Sequence, residues 1–194
     1  KKVLSRPPLL IGEHSICPST VVRNLGVLFD QKMTMEAQVM NICKSCYFHL
    51  RNIRSIRSYI SSNAASTLVH ALITSKLDMG NAMLFDIPES LCQKLQHVQN
   101  VAARLVTCTS RYDHITPVLH ELHWLPIRHR IMFKILLLVF KSLNNAAPNY
   151  ISELITPYEP SRSLRSESSG QLSIPRTRLK TVGDRAFAAA APIL

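Results

Sequence analysis

The run from Tyr112 to Leu143, YDHITPVLHELHWLPIRHRIMFKILLLVFKSL, decides the fold class, because it holds two helix starts and the longest apolar segment of the chain. Pro117 and Pro126 each suit the first turn of a helix, where the missing N–H is no loss and φ is already near the helical value. Thr116 is the predicted N-cap of the first helix, whose apolar side is Val118, Leu119 and Leu122. Trp124 and Leu125 form an elbow. From Pro126 to about Leu143, Ile127, Ile131, Ile135, Leu138 and Val139 recur at helical spacing, and Leu136, Leu137 and Phe140 widen the stripe almost all the way round. Such a helix is expected at the centre of the fold. Burial of its apolar side chains contributes on the order of 10 kcal/mol before the entropy of ordering them is subtracted. Arg128, His129, Arg130 and Lys134 make its first half basic.

Upstream, the pattern is short strands followed by helices. Leu9 to Ile11 and Val21 to Phe29 read as strands joined by tight turns, with Gly26 interrupting the second as a bulge or a point of close backbone approach. Two or three strands alone are marginal and are expected to belong to a sheet completed elsewhere. From Met35 to about Arg57, Val39, Ile42, Cys43, Cys46, Leu50 and Ile53 mark one helix face, while Lys44, Arg51, Arg54 and Arg57 make the rest basic. No acid occurs between Glu36 and Asp78, so this face is either solvated surface or a phosphate-binding one. Ser61 to Asn63 supply a cap for a helix that buries Leu68, Val69, Leu72, Ile73 and Leu77. Asp86, Pro88 and Glu89 form a predicted capping box for a further helix. That helix repeats Leu91, Leu95, Val98, Ala102 and Leu105 in four-three alternation and leaves Lys94 and Arg104 outside. Asn144 and Asn145 stop the central helix, and a short turn runs through Tyr150, Ile151 and Leu154.

From Pro157 the texture changes to proline and serine with Arg162, Arg165, Arg176, Arg178, Lys180 and Arg185, an extended, partly ordered basic tail with a brief strand at Gln171 to Ile174. The fold class is mainly α: a short N-terminal β-hairpin (1–30), a multi-helix bundle (31–156) and a loop-rich basic tail (157–194).

Composition narrows the partners. The 194 residues carry a formal net charge of +11 and are 46% hydrophobic, which suits a globular chain with an acidic partner, nucleic acid before membrane. Five cysteines at irregular spacing, without a signal peptide, imply reduced thiols and a cytoplasmic or nuclear setting rather than secretion. The chain opens on Lys1 and stops at Leu194 after an alanine-rich run, which reads as a fragment.

Motifs for chemistry are weak. Cys43, Cys46 and His49 have CxxCxxH spacing, but the helix face needs both cysteines and no second ligand pair follows. His120 and His123, with His114 and His129, are assigned to packing and hydrogen bonding around Trp124 rather than to a metal. Asp78 and Asp86 lack the supporting loop of a two-metal site. The phosphate-loop, dinucleotide and hydrolase glycine motifs do not occur, so an autonomous enzyme is not expected.

The succession VVRNLGVLFD (21–30), ICKSCYFHLRNIRSIR (42–57), LVHALITSKLDMGNAML (68–84), KLQHVQNVAARLVT (94–107), the HWLPIRHRI phrase within 112–144, and GDRAFAAAAPIL (183–194) resembles the region after the catalytic palm in reverse transcriptases of non-long-terminal-repeat retrotransposons, the jockey-like elements above all. The resemblance implies that Asn24, Leu25, Gly26 and Val27 form the hairpin that grips the primer, and that the helices are the thumb and a C-terminal helical domain. It implies RNA and RNA–DNA hybrid duplex as partners, held by phosphate and sugar contacts through Arg51, Arg54 and Arg57 first and Lys44 and Arg128 second. It also implies an upstream palm of the same polyprotein as a partner. The Tyr-x-Asp-Asp box of that palm is absent, since Tyr112-Asp113 is followed by His114, so magnesium would belong to the palm and no cofactor to this chain. The family's Tyr-Cys is replaced by Met79-Gly80, and its Trp-Asn after the final Pro-x-Leu does not appear. Two other readings stay open: a stand-alone helical protein-interaction module, and a decayed remnant without function.

Overall fold

In the computed structural model the chain is described over residues 7–158 and 170–194; Pro160, Arg162, Arg165 and the serines of the predicted linker lie outside these residues. The fold is mainly α, with two β-hairpins ahead of the helices. The first pairs β1 (Leu9–Ile11) with β2 (His14–Ile16), and the second pairs β3 (Val21–Asn24) with β4 (Val27–Asp30), both antiparallel. The run predicted as one strand over 21–29 is therefore a hairpin in itself. Gly26 is not a bulge: Leu25 and Gly26 form a two-residue turn with φ of 46° and 86°, the left-handed pair that matches the twist of the flanking strands.

Helix α1 (Glu36–Ile56) follows, and its entry is built around one carboxylate. Asp30, at the end of β4, accepts from the backbone N–H of Lys32 (3.1 Å) and Thr34 (2.9 Å) on Oδ1 and of Met35 (2.7 Å) on Oδ2. These bonds hold Met33 and Met35 at φ of 54° and 63°, a left-handed backbone that a non-glycine residue adopts only under constraint. Burial of Asp30 works to raise its pKa, but the hydrogen bonds from Thr34, Met35 and Lys32 outweigh it and hold the carboxyl below its ordinary value. Buried Gln38 adds a second tie, its Oε1 accepting from the Leu28 N–H at 2.9 Å.

Helix α2 (Ser62–Val69) starts on the predicted cap: Ser61 Oγ accepts from Ala64 N at 3.2 Å. It continues through a π-helical turn (His70–Thr74) into α3 (Ser75–Asp78), with Val69, Ile73 and Leu77 buried along the rod. Helix α4 (Glu89–Thr107) starts differently from expectation. Pro88 is its N-cap, Asp86 is exposed at φ 52°, and no side chain closes a capping box. Helices α1 and α4 run parallel: Tyr47 faces His97, and Arg57, one residue past α1, reaches Leu105 and Val106 near the end of α4. Val39, Ile42, Cys46, Leu50 and Ile53 of α1 and Leu91, Leu95, Val98, Ala102 and Leu105 of α4 form the α1–α4 part of the core.

Helix α5 (Ile115–Glu121) begins after His114 rather than Thr116, without a side-chain cap, and the chain turns left-handed at His123. Trp124 N then donates to Leu119 O at 2.8 Å, and the indole is buried edge-on to His70, 5.4 Å between ring centres. The histidine ring that packs on Trp124 is thus His70, itself at the surface like His114, His120, His123 and His129. Helix α6 (Ile127–Leu143) lies antiparallel on α4. Gln96 Oε1 accepts from Ile127 N (2.9 Å) and Gln99 Nε2 donates to Leu125 O (2.8 Å), satisfying backbone groups at the elbow. Ile127, Ile131, Ile135 and Val139 are buried, but Phe133, Leu136, Phe140 and Leu143 face outward, so α6 flanks the core rather than centring it.

After α7 (Asn149–Ser152), an isolated bridge joins Pro157 to Leu172, and α8 (Lys180–Gly183) and α9 (Phe187–Ala190) return to the bundle. Ala189, Ala190 and Ala191 are buried, and Arg185 donates to Phe85 O, Met33 O and Met83 O, so this part of the basic tail is docked.

Asp30→Ala should cost about 1–2 kcal/mol at neutral pH, read by urea unfolding. Because the native pKa of Asp30 lies below the unfolded one, its contribution is complete above the ordinary carboxylate value of about 3.9 and is lost as pH falls through the lower native value. The gap between wild type and Asp30→Ala should close on acidification.

Candidate nucleic-acid interface

The sequence nominates cations, and the structure sorts them by what they already hold. Arg57 Nε donates to Leu105 O (2.9 Å), its Nη1 to Ile60 O (3.1 Å), and its Nη2 to Val106 O and Ser62 Oγ (3.0 Å each). It caps carbonyls near the C-terminus of α4, where a cation also meets the negative end of the helix dipole. Arg57 therefore leaves the group of candidate phosphate ligands. Arg104 is spent likewise, on Ser110 O and Asp113 O. Arg130 donates to Leu125 O and holds Asp78 through Nη1 at 2.9 and 3.0 Å. With Arg185, these are four guanidinium groups used to tie backbone segments together.

Lys44, Arg51 and Arg54 are different. All three are exposed, and among the described residues no hydrogen bond or ion pair engages their side chains. With Tyr47 they follow one another on α1 at steps of three, four and three residues, which puts them in a single row on one flank of the helix. The row is about 15 Å long at 1.5 Å per residue. Along a duplex strand rising about 3.4 Å per nucleotide, that length reaches on the order of four nucleotides.

The same flank of α1 borders a groove against α4, a cavity of about 610 Å³ being elsewhere and one of about 510 Å³ here. Lys94 stands across the groove from Lys44, its Nζ 3.7 Å from Met40 Sδ, and Tyr47 faces His97 at 6.5 Å. Burial pushes the Tyr47 hydroxyl pKa up, with the nearby Cys43 and Cys46 adding to it, so the ring is neutral at physiological pH. Lys94 was visible in the sequence only as a residue outside the α4 stripe; its place in the groove follows from the parallel pairing of α1 and α4.

Arg128 lies apart from this row. It borders the 610 Å³ cavity beside Asp86, Glu89 and Cys92. Cys92 and Lys94 are two residues apart on α4, hence about 200° apart around it. The hairpin tip is also on another flank. Asn24 and Leu25 are exposed, Leu25 at 95%, and Val27 is buried against Gly80, where an added Cβ would come 3.3 Å from Val27 Cγ2. The hairpin is tied to α1 through Gln38, six residues before Lys44 and about 120° away around the helix.

Cys43 and Cys46 are buried in α1, and burial, reinforced by Cys43, pushes the Cys46 pKa up to about 12. Among the described residues no three His, Cys, Asp or Glu side chains converge as a metal site, and no helix is long and apolar enough to cross a membrane. Asn81 Oδ1 is the one buried side-chain oxygen without a partner among the described residues, at the edge of a cleft shared with Asp78 and Arg130.

In thermal melts Arg57→Ala should destabilise the chain by about 2 kcal/mol, since several buried carbonyls lose a charged donor. Arg51→Ala and Arg54→Ala should stay within about 0.5 kcal/mol of wild type. Comparison of the chain with protein-family models, with curated proteins and with solved structures finds no match.

Proposed function

We propose that the chain is the part of a non-long-terminal-repeat retrotransposon reverse transcriptase that follows the catalytic palm, and that it holds the RNA template and DNA primer duplex. The observation that carries the duplex-holding role is the row Lys44, Arg51 and Arg54 on α1: exposed, without carboxylate partners among the described residues, in a stretch of sequence with no acid between Glu36 and Asp78. A row of this kind suits phosphate contact, which positions a duplex without reading its sequence. The family assignment rests on the resemblance of the sequence motifs. The exposed apolar strands Leu9, Leu10, Ile11 and Ile16 and the exposed tip Leu25 favour a further protein surface against the hairpins, a role the palm of the same polyprotein would fill. No catalytic step is assigned to this chain, because the Tyr-x-Asp-Asp residues that would hold magnesium are not in its sequence.

A second reading, a helical protein-interaction module, is favoured by the outward face of α6, where Phe133, Leu136, Phe140 and Leu143 are exposed together, Phe140 at 64%. It predicts association that salt does not weaken.

The test is binding to a blunt RNA–DNA hybrid over a salt series. Affinity should fall steeply with salt, and the Arg51→Ala/Arg54→Ala pair should weaken binding and reduce the slope of log affinity against log salt by about 1 per arginine. An unchanged slope in the double variant would remove α1 from the interface, and salt-insensitive self-association would favour the module.

A further inference from the structure

The groove between α1 and α4 has features that a duplex does not need. Phosphates on the outside of a helix call for cations on an open ridge, as Arg51 and Arg54 provide. The groove instead sets an aromatic ring into a recess of about 510 Å³ with a cation on each wall. Tyr47 is half-buried there, Lys44 and Lys94 are exposed on opposite sides, and Ser90, Gln93 and His97 add hydrogen-bonding groups. Among the described residues no carboxylate lines it; Glu89, next to Ser90, accepts a hydrogen bond from Gln93 Nε2 at 3.4 Å.

The geometry points to a binding site for an unpaired nucleotide, its base stacked on Tyr47 and its phosphates held between Lys44 and Lys94. This inference rests on the nucleic-acid reading above and deepens it. Three properties of the groove fit that occupant. The neutral phenol ring lines the recess, and stacking of bases on aromatic rings is how single strands are held without sequence preference. The two ammonium groups match the charge of the flanking phosphates, and as flexible point charges they tolerate backbones of different geometry. The groove is also continuous with the α1 row, since Lys44 belongs to both and Arg51 follows Tyr47 by one helical turn. A duplex lying along Arg51 and Arg54 would thus have its unpaired continuation led toward Tyr47. Base pairs inside a duplex have both faces covered by neighbours and cannot use the ring.

The experiment compares a short blunt RNA–DNA hybrid with the same hybrid extended by an unpaired purine tract carrying a fluorescent adenine analogue, in an RNA and a DNA version, with the full chain. The extended hybrid should bind about tenfold more tightly than the blunt one, and the analogue's emission should be quenched on binding. Lys94→Ala, which alters one exposed groove side chain outside the α1 row, should abolish most of the gain while leaving blunt-hybrid binding within a few-fold of wild type. Because Tyr47→Ala removes a half-buried ring and can loosen the α1–α4 seam, Tyr47→Phe serves as its companion: it keeps the ring and should keep the quench, whereas Tyr47→Ala loses it. A tract of either sugar meets the prediction. An extended hybrid that binds no better than the blunt one, or a gain that survives Lys94→Ala undiminished, would overturn the inference. Salt-dependent binding of the blunt hybrid in that case would leave the duplex-holding role intact, and failure of both hybrids to bind would remove both.

Discussion

The parallel seam between α1 and α4 is the constraint on which the rest of the molecule depends. Parallel neighbours cannot be joined by a short loop, so the chain must travel back along the rod of α2, the π-helical turn and α3 before α4 can begin. Hydrophobic burial supplies the attraction, from Val39 to Ile53 on one side and Leu91 to Leu105 on the other, but burial is not directional. Direction comes from polar groups at the two ends. Asp30 and Gln38 fix where α1 starts, and Arg57 fixes where α4 finishes. Between these clamps the helices have one register, and that register brings Lys94 across from Lys44 and His97 across from Tyr47.

A strongly basic chain would be expected to repel itself, and here four of its guanidinium groups are put to internal use. Arg57, Arg104, Arg130 and Arg185 each donate to main-chain carbonyls, a role that suits the planar, multiply donating guanidinium and that lysine fills less well. Arg185 joins segments far apart in sequence, Met33 on the entry to α1 and Met83 and Phe85 before α4. The cations left over are therefore the informative ones. A patch judged by sequence alone would have included Arg57 and Arg128; judged by occupied donors and by flank it becomes Lys44, Arg51, Arg54 and Lys94, a ridge with a groove beside it.

The helices were legible because their apolar residues recur at three- and four-residue steps, and the mainly α class follows from that period. The boundaries that depend on long-range partners were not legible. Val21 to Phe29 reads as one strand because Leu25 is apolar, yet its left-handed backbone before Gly26 makes it a turn. Asp86 and Glu89 have capping-box spacing, yet the chain kinks at Asp86 and Pro88 takes the cap. The 112–143 run has enough leucine to look central, yet Phe133, Leu136, Phe140 and Leu143 of α6 face outward, because only one side of the helix packs on the bundle. For the candidate site, the basic character of α1 was visible, whereas the removal of Arg57 and the arrival of Lys94 both depend on pairing across about fifty residues of sequence. The amide contacts of Gln96 and Gln99 with the α5–α6 elbow have no signature in a hydropathy pattern at all.

The central claim is that the α1 flank bearing Lys44, Arg51 and Arg54 is where nucleic acid lies. Its most direct test is residue-resolved mapping: amide and arginine side-chain NMR shifts of the isotope-labelled chain as RNA–DNA hybrid is added. The account predicts shifts that follow the row from Lys44 to Arg54 and the facing part of α4 around Lys94, with α6 from Phe133 to Leu143 unchanged. Shifts concentrated on the outward face of α6 or around Arg128, with α1 undisturbed, would contradict it.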